Sequence, residues 1–161
     1  MIEFKTVRYK NFLSTGQQFI EVPLNTGGTT LIIGDNGSGK STMLDALCFG
    51  LFNRPFRDIK KDQIVNSINE KDCLVEIDLQ IGSNNYTIKR GIKPAIFEIW
   101  CNDKMLNQDA ASKDYQKHLE DNILRLNFRS FTQVVILGSS SFVPFMRLRA
   151  RHRRQVVEEI L

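Results

Sequence analysis

The hydrophobic residues of this chain change their spacing several times, and each change marks an element. Over residues 1–10, Ile2, Phe4, Thr6 and Val7 stand against Glu3, Lys5 and Arg8, the period of a half-buried strand. Residues 18–22 read as a second strand stopped by Pro23, and Asn25, Thr26, Gly27 and Gly28 supply a turn. Residues 29–33 form a short β-branched apolar run bounded by glycines, which predicts a buried central strand. From 41 to 52, Met43, Leu44, Leu47, Cys48 and Leu51 recur at three- and four-residue spacing, one face of a helix.

Residues 53–69 are polar and broken by Pro55, so they predict a loop with a turn of helix around 60–65. From Asp72 the period returns to two: Val75, Ile77, Leu79 and Ile81, with Cys73 before them, alternate with Leu74, Glu76, Asp78 and Gln80. Turn residues at 82–85 and a return strand at 86–90 make a hairpin, and 95–101 adds a third antiparallel strand closed by Asn102 and Asp103. Ser112 is a cap for a helix through Leu124, with Tyr115, Leu119 and Ile123 inward. Residues 128–132 lead into a second buried strand at 134–137. A helix begins at Ala150 and still carries Val156, Val157, Ile160 and Leu161 in phase at its last residue, so it is expected to belong to something longer.

Composition narrows the class. The 161 residues are 42% hydrophobic and 25% charged, enough apolar content for a globular core. The first twenty residues hold no unbroken apolar region, and no later run reaches the length of a membrane span, so a chain without membrane attachment, in the cytoplasm, is expected. Cys48, Cys73 and Cys101 are scattered with no CxxC pair, and His118 and His152 are isolated; all five read as packing or surface residues, and no metal site is predicted from them. The net charge of +4 permits a nucleic-acid partner without requiring one.

The chemistry lies in the loop between the predicted strand and helix. Gly34-Asp35-Asn36-Gly37-Ser38-Gly39-Lys40-Ser41 satisfies GxxxxGK[ST]. In that pattern backbone N–H groups turn inward around phosphates, because glycine leaves the approach open and accepts left-handed angles. Lys40 then meets the outer phosphates as a point charge, Ser41 offers its hydroxyl to Mg²⁺, and the helix N-terminus adds partial positive charge.

Hydrolysis also needs an acid at the end of an apolar strand and a group that orients water. No apolar run here ends in Asp or Asp-Glu. Asp78 comes nearest, but Glu76 shares its strand face, and the pair reads as a solvated side. The chain is therefore expected to carry half of a site.

"VRYKNFLST", "LIIGDNGSGKSTMLDALCFGLF", "FRDIKKDQIVNS", "YTIKRG" and "SFTQVVILGSSSFVPFM" followed by "RRQVVEEIL" together resemble the N-terminal half of the SbcC-type, SMC-like DNA-repair ATPases. The resemblance implies an α/β P-loop NTPase of the ABC/SMC head type, with a mixed central sheet plus an antiparallel β-sheet. Residues 1–149 would be the N-terminal lobe and 150–161 the start of a coiled-coil helix. It implies ATP and Mg²⁺ as cofactors and four partners: the chain's own C-terminal ATPase lobe joined through the coiled coil, a second copy in an ATP-dependent head dimer, a nuclease subunit, and double-stranded DNA. The alternative is a nucleotide-gated DNA tether or clamp with little hydrolysis.

Residue by residue, the resemblance places Asn36, Gly37, Ser38, Gly39, Lys40, Ser41 and Thr42 on the phosphates, and Ser14 and Asn66 near the nucleotide. Relatives pair an arginine with that serine, where this chain has Leu13. Ser41 is the magnesium ligand, and Ser139 falls at the position of the family's Q-loop glutamine; Gln133 lies six residues earlier and reads as structural. Lys89, Arg90, Arg57 and Lys60 are candidates for DNA phosphates, as are Lys61 and Lys93; the cluster Arg147, Arg149, Arg151, Arg153 and Arg154 reads either as a solvated face at the root of the coiled coil or as a contact with DNA phosphates or with an acidic surface of the nuclease subunit.

Overall fold

The period-two segments pair into a six-stranded antiparallel sheet in the computed structural model, which describes residues 1–106, 112–136 and 147–160. Its strands are β1 (Ile2–Lys10), β2 (Ile20–Pro23), β3 (Cys73–Ile81), β4 (Asn84–Ile92), β5 (Ile96–Cys101) and β6 (Lys104–Met105), in the order β2-β1-β3-β4-β5-β6. The chain divides into two compact units, Met1–Ser112 and Lys113–Leu161.

In the first unit the register sends Val7, Tyr9, Val75, Ile77, Leu79, Ile88 and Ile99 to one buried face, where α1 (Lys40–Phe52) packs. The sequence predicts a single apolar stripe for α1, but every residue from Asp45 to Phe52 is buried. The sheet covers one side, and the loop after β1 covers another through Phe12, whose ring lies 5.6 Å from that of Phe49. Close packing leaves no room at Gly50, where a Cβ would collide with Ile77 Cδ1. Gly50→Ala is therefore expected to cost about 2 kcal/mol through overpacking, read as a lower urea midpoint at unchanged slope. Asn53 ends α1 in the left-handed region at φ 56° and donates its N–H to the Phe49 carbonyl.

The opposite sheet face corrects one expectation. Glu76 is not solvated: it is 5% exposed, flanked in register by Arg8 and Lys89, and paired with both. Arg8 and Lys89 close over the carboxylate, and their charges offset the cost of taking it out of water. Asp78 accepts a hydrogen bond of 2.6 Å from the Thr87 hydroxyl on the same face.

Residues 29–33 are also not what their composition predicts. They join no ladder among the described residues, and Leu31 and Ile33 are 79% and 84% exposed. A β-branched run becomes a buried strand only when neighbours pair with it, and the sheet of this unit closes without it. Burial holds for two of the three cysteines: it raises the Cys48 thiol strongly, with Asp45 adding to the effect, and pushes Cys73 up to about 12, whereas Cys101 is half-buried.

The second unit is helical. Helix α2 (Ser112–His118) continues into a π-helical turn, Leu119–Leu124, so the predicted helix spans its expected length with a widened end. Residues 128–134 form α3 (Phe128–Val134) rather than the approach to a strand, because the Asn127 side chain accepts the Ser130 N–H and caps a helix that buries Phe131. Val134 and Val135 are consequently exposed, and Leu137 lies outside the described residues. Helix α4 (Ala150–Ile160) packs against α3 and buries Val156. No described helix is long and apolar enough to cross a membrane.

Candidate functional site

Helix α1 starts at Lys40, directly after a loop whose turns depend on glycine: Gly37 and Gly39 have φ of 87° and 94°, angles that L side chains rarely adopt. Within the loop, Ser38 N–H donates to the Asp35 carbonyl and Thr42 N–H to that of Gly39. The N–H groups of Gly37, Gly39, Lys40 and Ser41 find no acceptor among the described residues, so four donors are left at the head of a helix, where an anion is favoured.

These groups border an open cavity of about 430 Å³ lined by Leu13, Ser14, Asn36, Gly37, Gly39, Lys40, Ser41, Thr42, Arg57 and Ile59. Its size suits a small-molecule ligand. Lys40 Nζ donates to the carbonyls of Gly34 and Asp35 in its own loop, so its charge is held at the cavity by acceptors that a phosphate can replace. Unpaired amides, a lysine and the Ser41 hydroxyl on one wall match the donor set that a nucleotide's phosphates and a hard divalent cation need. Six of the seven loop residues named from sequence line the cavity. Ser38 does not; its hydroxyl lies over Gly34.

Ser14 lines this cavity and also a neighbouring one of about 470 Å³, which Asn66 borders with Asp62, Gln63, Glu70 and Lys93. Asn66 is 6% exposed and its amide is used within the fold. Its Nδ2 donates to the Thr15 carbonyl at 3.1 Å, and its Oδ1 accepts the N–H groups of Ile68 and Asn69. The predicted nucleotide neighbour therefore acts on the loop that carries Ser14, by tying it to the 66–69 turn. Ser139 lies outside the described residues. Gln133 is described, and its Oε1 is buried without a hydrogen-bond partner among the described residues.

The four DNA candidates separate. Arg90 is 5% exposed on the core face; it donates to the Gly50 carbonyl at 3.0 Å and stacks 3.7 Å over Phe97, so it serves the end of α1 and no external phosphate. Its spacing in a two-residue period put it inward, a signal the charge count alone conceals. Arg57 faces the phosphate-loop cavity and binds Asp45. Lys89 pairs with Glu76 at 3.8 Å and lies 5.7 Å over Trp100. Lys60 is exposed. In the second unit, Arg147, Arg149, Arg151 and Arg154 are exposed, and His152 is held below its ordinary value of 6.5 by partial desolvation and the charges of Arg129, Arg151 and Arg149.

Sequence reasoning missed Arg57 and Ile59 as lining of this cavity and Asp45 as the acid that holds Arg57. The available signal was Asp45 itself, an acid four residues after Ser41 and so on the same side of an otherwise apolar helix.

The chain is 48% identical over 155 residues to exonuclease subunit 2 of Enterobacteria phage T4, an alignment covering 96% of this chain and 28% of the relative. It is 35% identical over 88 residues to the DNA double-strand break repair Rad50 ATPase of Sulfolobus acidocaldarius, covering 55% of this chain and 10% of that one. This chain thus spans little more than a quarter of the first relative's length. The Smc head domain of Pyrococcus yayanosii, with a coiled coil and joint, superposes with a TM-score of 0.65 at 23% identity, covering 99% of this chain and 32% of that chain, and so shares the fold. Residues 6–160 match the AAA domain family, and with its phosphate loop bordering an open cavity and this head-type fold the chain belongs to that family.

Proposed function

We propose that this chain is the ATP-binding N-terminal lobe of a DNA-repair and recombination ATPase that controls a partner nuclease at double-stranded DNA ends. The observation that carries the reading is the group of four unpaired N–H donors beside Lys40 and Ser41 on one cavity wall. Similarity to a phage exonuclease subunit and to a Rad50 ATPase supports the biological setting.

In this reading the amides of Gly37, Gly39, Lys40 and Ser41 orient the phosphates, and Lys40 exchanges its two loop carbonyls for phosphate oxygens. Ser41 holds Mg²⁺, which supplies charge neutralisation when bound. Among the described residues no carboxylate lines the cavity, and in this reading the acid and the water-orienting group come from the C-terminal lobe. Residues 1–149 form the lobe and 150–161 begin the coiled coil leading to it. The exposed run Leu31, Ile32 and Ile33, next to the phosphate loop, is where strands of that second lobe complete a central sheet. Head dimerisation around ATP then couples nucleotide state to nuclease access, with Lys60 and the arginines of α4 meeting DNA phosphates.

The test is reconstitution. This chain alone is expected to bind ATP weakly and hydrolyse little, and a separately produced C-terminal lobe should restore turnover that rises with DNA and the nuclease subunit present. A correctly folded pair that forms tight ATP-dependent dimers without turnover would establish the clamp instead. A folded pair that binds no ATP would remove the reading altogether.

A further inference from the structure

We propose that Asp45 is a positioning residue of the phosphate cavity, fixing the Arg57 guanidinium so that its remaining donors face bound phosphates. The proposal rests on the nucleotide reading and adds a group outside the phosphate loop.

Asp45 is completely buried, the one acid in α1, and follows Ser41 by a single helical turn. Both of its oxygens are spent on one residue. Oδ1 accepts the Arg57 main-chain N–H at 2.9 Å, and Oδ2 accepts Arg57 Nε–H at 2.7 Å while pairing with Nη2 at 2.5 Å. The carboxylate thus fixes the backbone of the segment after α1 and the side chain it carries. That segment supplies Arg57 and Ile59 to the cavity lined by Lys40 and Ser41.

The chemistry of the guanidinium gives the arrangement a direction. It has five N–H donors in a rigid planar fork, so fixing the Nε–Nη2 edge fixes the orientation of the others. Nη1 has no partner among the described residues, and the side chain remains 44% exposed. A structural ion pair needs only the edge that Asp45 holds. A cation that lines a cavity already provided with four amide donors and a lysine, and that keeps a second edge unengaged, is built to add directed donors there. Without Arg57, the Asp45 charge would lie one turn from the phosphates and repel them. Without Asp45, the long arginine would keep its charge and lose its aim. No sequence motif contains the pair, because the partners are twelve residues apart and meet only through the turn after α1.

The experiment uses the full-length protein with Mg²⁺ and measures equilibrium affinity for ATP and for inorganic tripolyphosphate, with thermal unfolding in the absence of either. The variants are Asp45→Asn, Arg57→Lys and the double substitution. Asn keeps the volume but loses the charged two-point grip; Lys keeps the charge but not the fork. Each single variant is expected to weaken ATP about tenfold, one charge-assisted contact, with an equal loss for tripolyphosphate. The double variant should be no weaker than either single one, as expected if Asp45 acts through Arg57. Affinities within twofold of wild type in folded single variants, with only the melting temperature lowered, would overturn the proposal, as would losses that simply multiply in the double variant. If Asp45→Asn does not fold, Arg57→Lys decides alone by the same tenfold and twofold criteria. Wild-type protein that binds neither probe counts against the nucleotide reading itself, a result separable from any change between variants.

Discussion

Replacing Lys40 with alanine in the full-length protein is expected to weaken ATP binding roughly 10- to 100-fold and to bring ATP turnover to background. Hydrogen bonds to charged groups contribute about 1.5–3 kcal/mol each, and every 1.4 kcal/mol is about tenfold in affinity. Lys40 places its ammonium at the cavity, held by two loop carbonyls it can leave without breaking the fold. The substitution should therefore leave the apo melting temperature nearly unchanged. Isothermal titration with ATP and a melting curve on the same sample check both halves, and wild-type affinity in the variant would sink the phosphate assignment.

The second large effect is on stability and comes from a residue next to the cavity. Phe12 is fully buried, with Tyr9 6.1 Å and Phe49 5.6 Å from it between ring centres. Phe12→Ala leaves a void between α1 and the loop after β1, and such truncations cost about 3–5 kcal/mol. That is a large share of the about 5–15 kcal/mol that holds a domain together. Urea unfolding of this chain should show the loss as a lower midpoint. Because Phe12 precedes Leu13 and Ser14, which line both cavities, ATP affinity should fall as well, whereas Gly50→Ala strains α1 from its sheet side. An unchanged urea midpoint would show that this aromatic group is not the anchor described.

Much of the first unit was legible from residue spacing. The strands of the meander and the phosphate-loop helix follow from periods of two and of three to four, since those spacings are set by backbone geometry and need no partner to be seen. The failures lie where a partner decides. Residues 29–33 have a strand's composition without a ladder, and Val134 became helical because Asn127 caps a helix just upstream, a local hydrogen bond that outweighs β-branching over one turn. Glu76 and Arg90 are both charged residues within period-two strands, yet one is enclosed by Arg8 and Lys89 on one sheet face and the other reaches the end of α1 on the opposite face.

The amino-acid sequence by itself determined that a phosphate-binding loop exists and which residues compose it, because GxxxxGK[ST] works through contiguous backbone amides whose geometry is local. Only the tertiary structure decided what surrounds that loop: Arg57 and Ile59 brought to its wall, Asn66 turned to scaffolding, and Arg90 withdrawn to the core. Those roles depend on which side chain meets which across the turn after α1 and across the sheet, and separation along a chain does not fix distance in space.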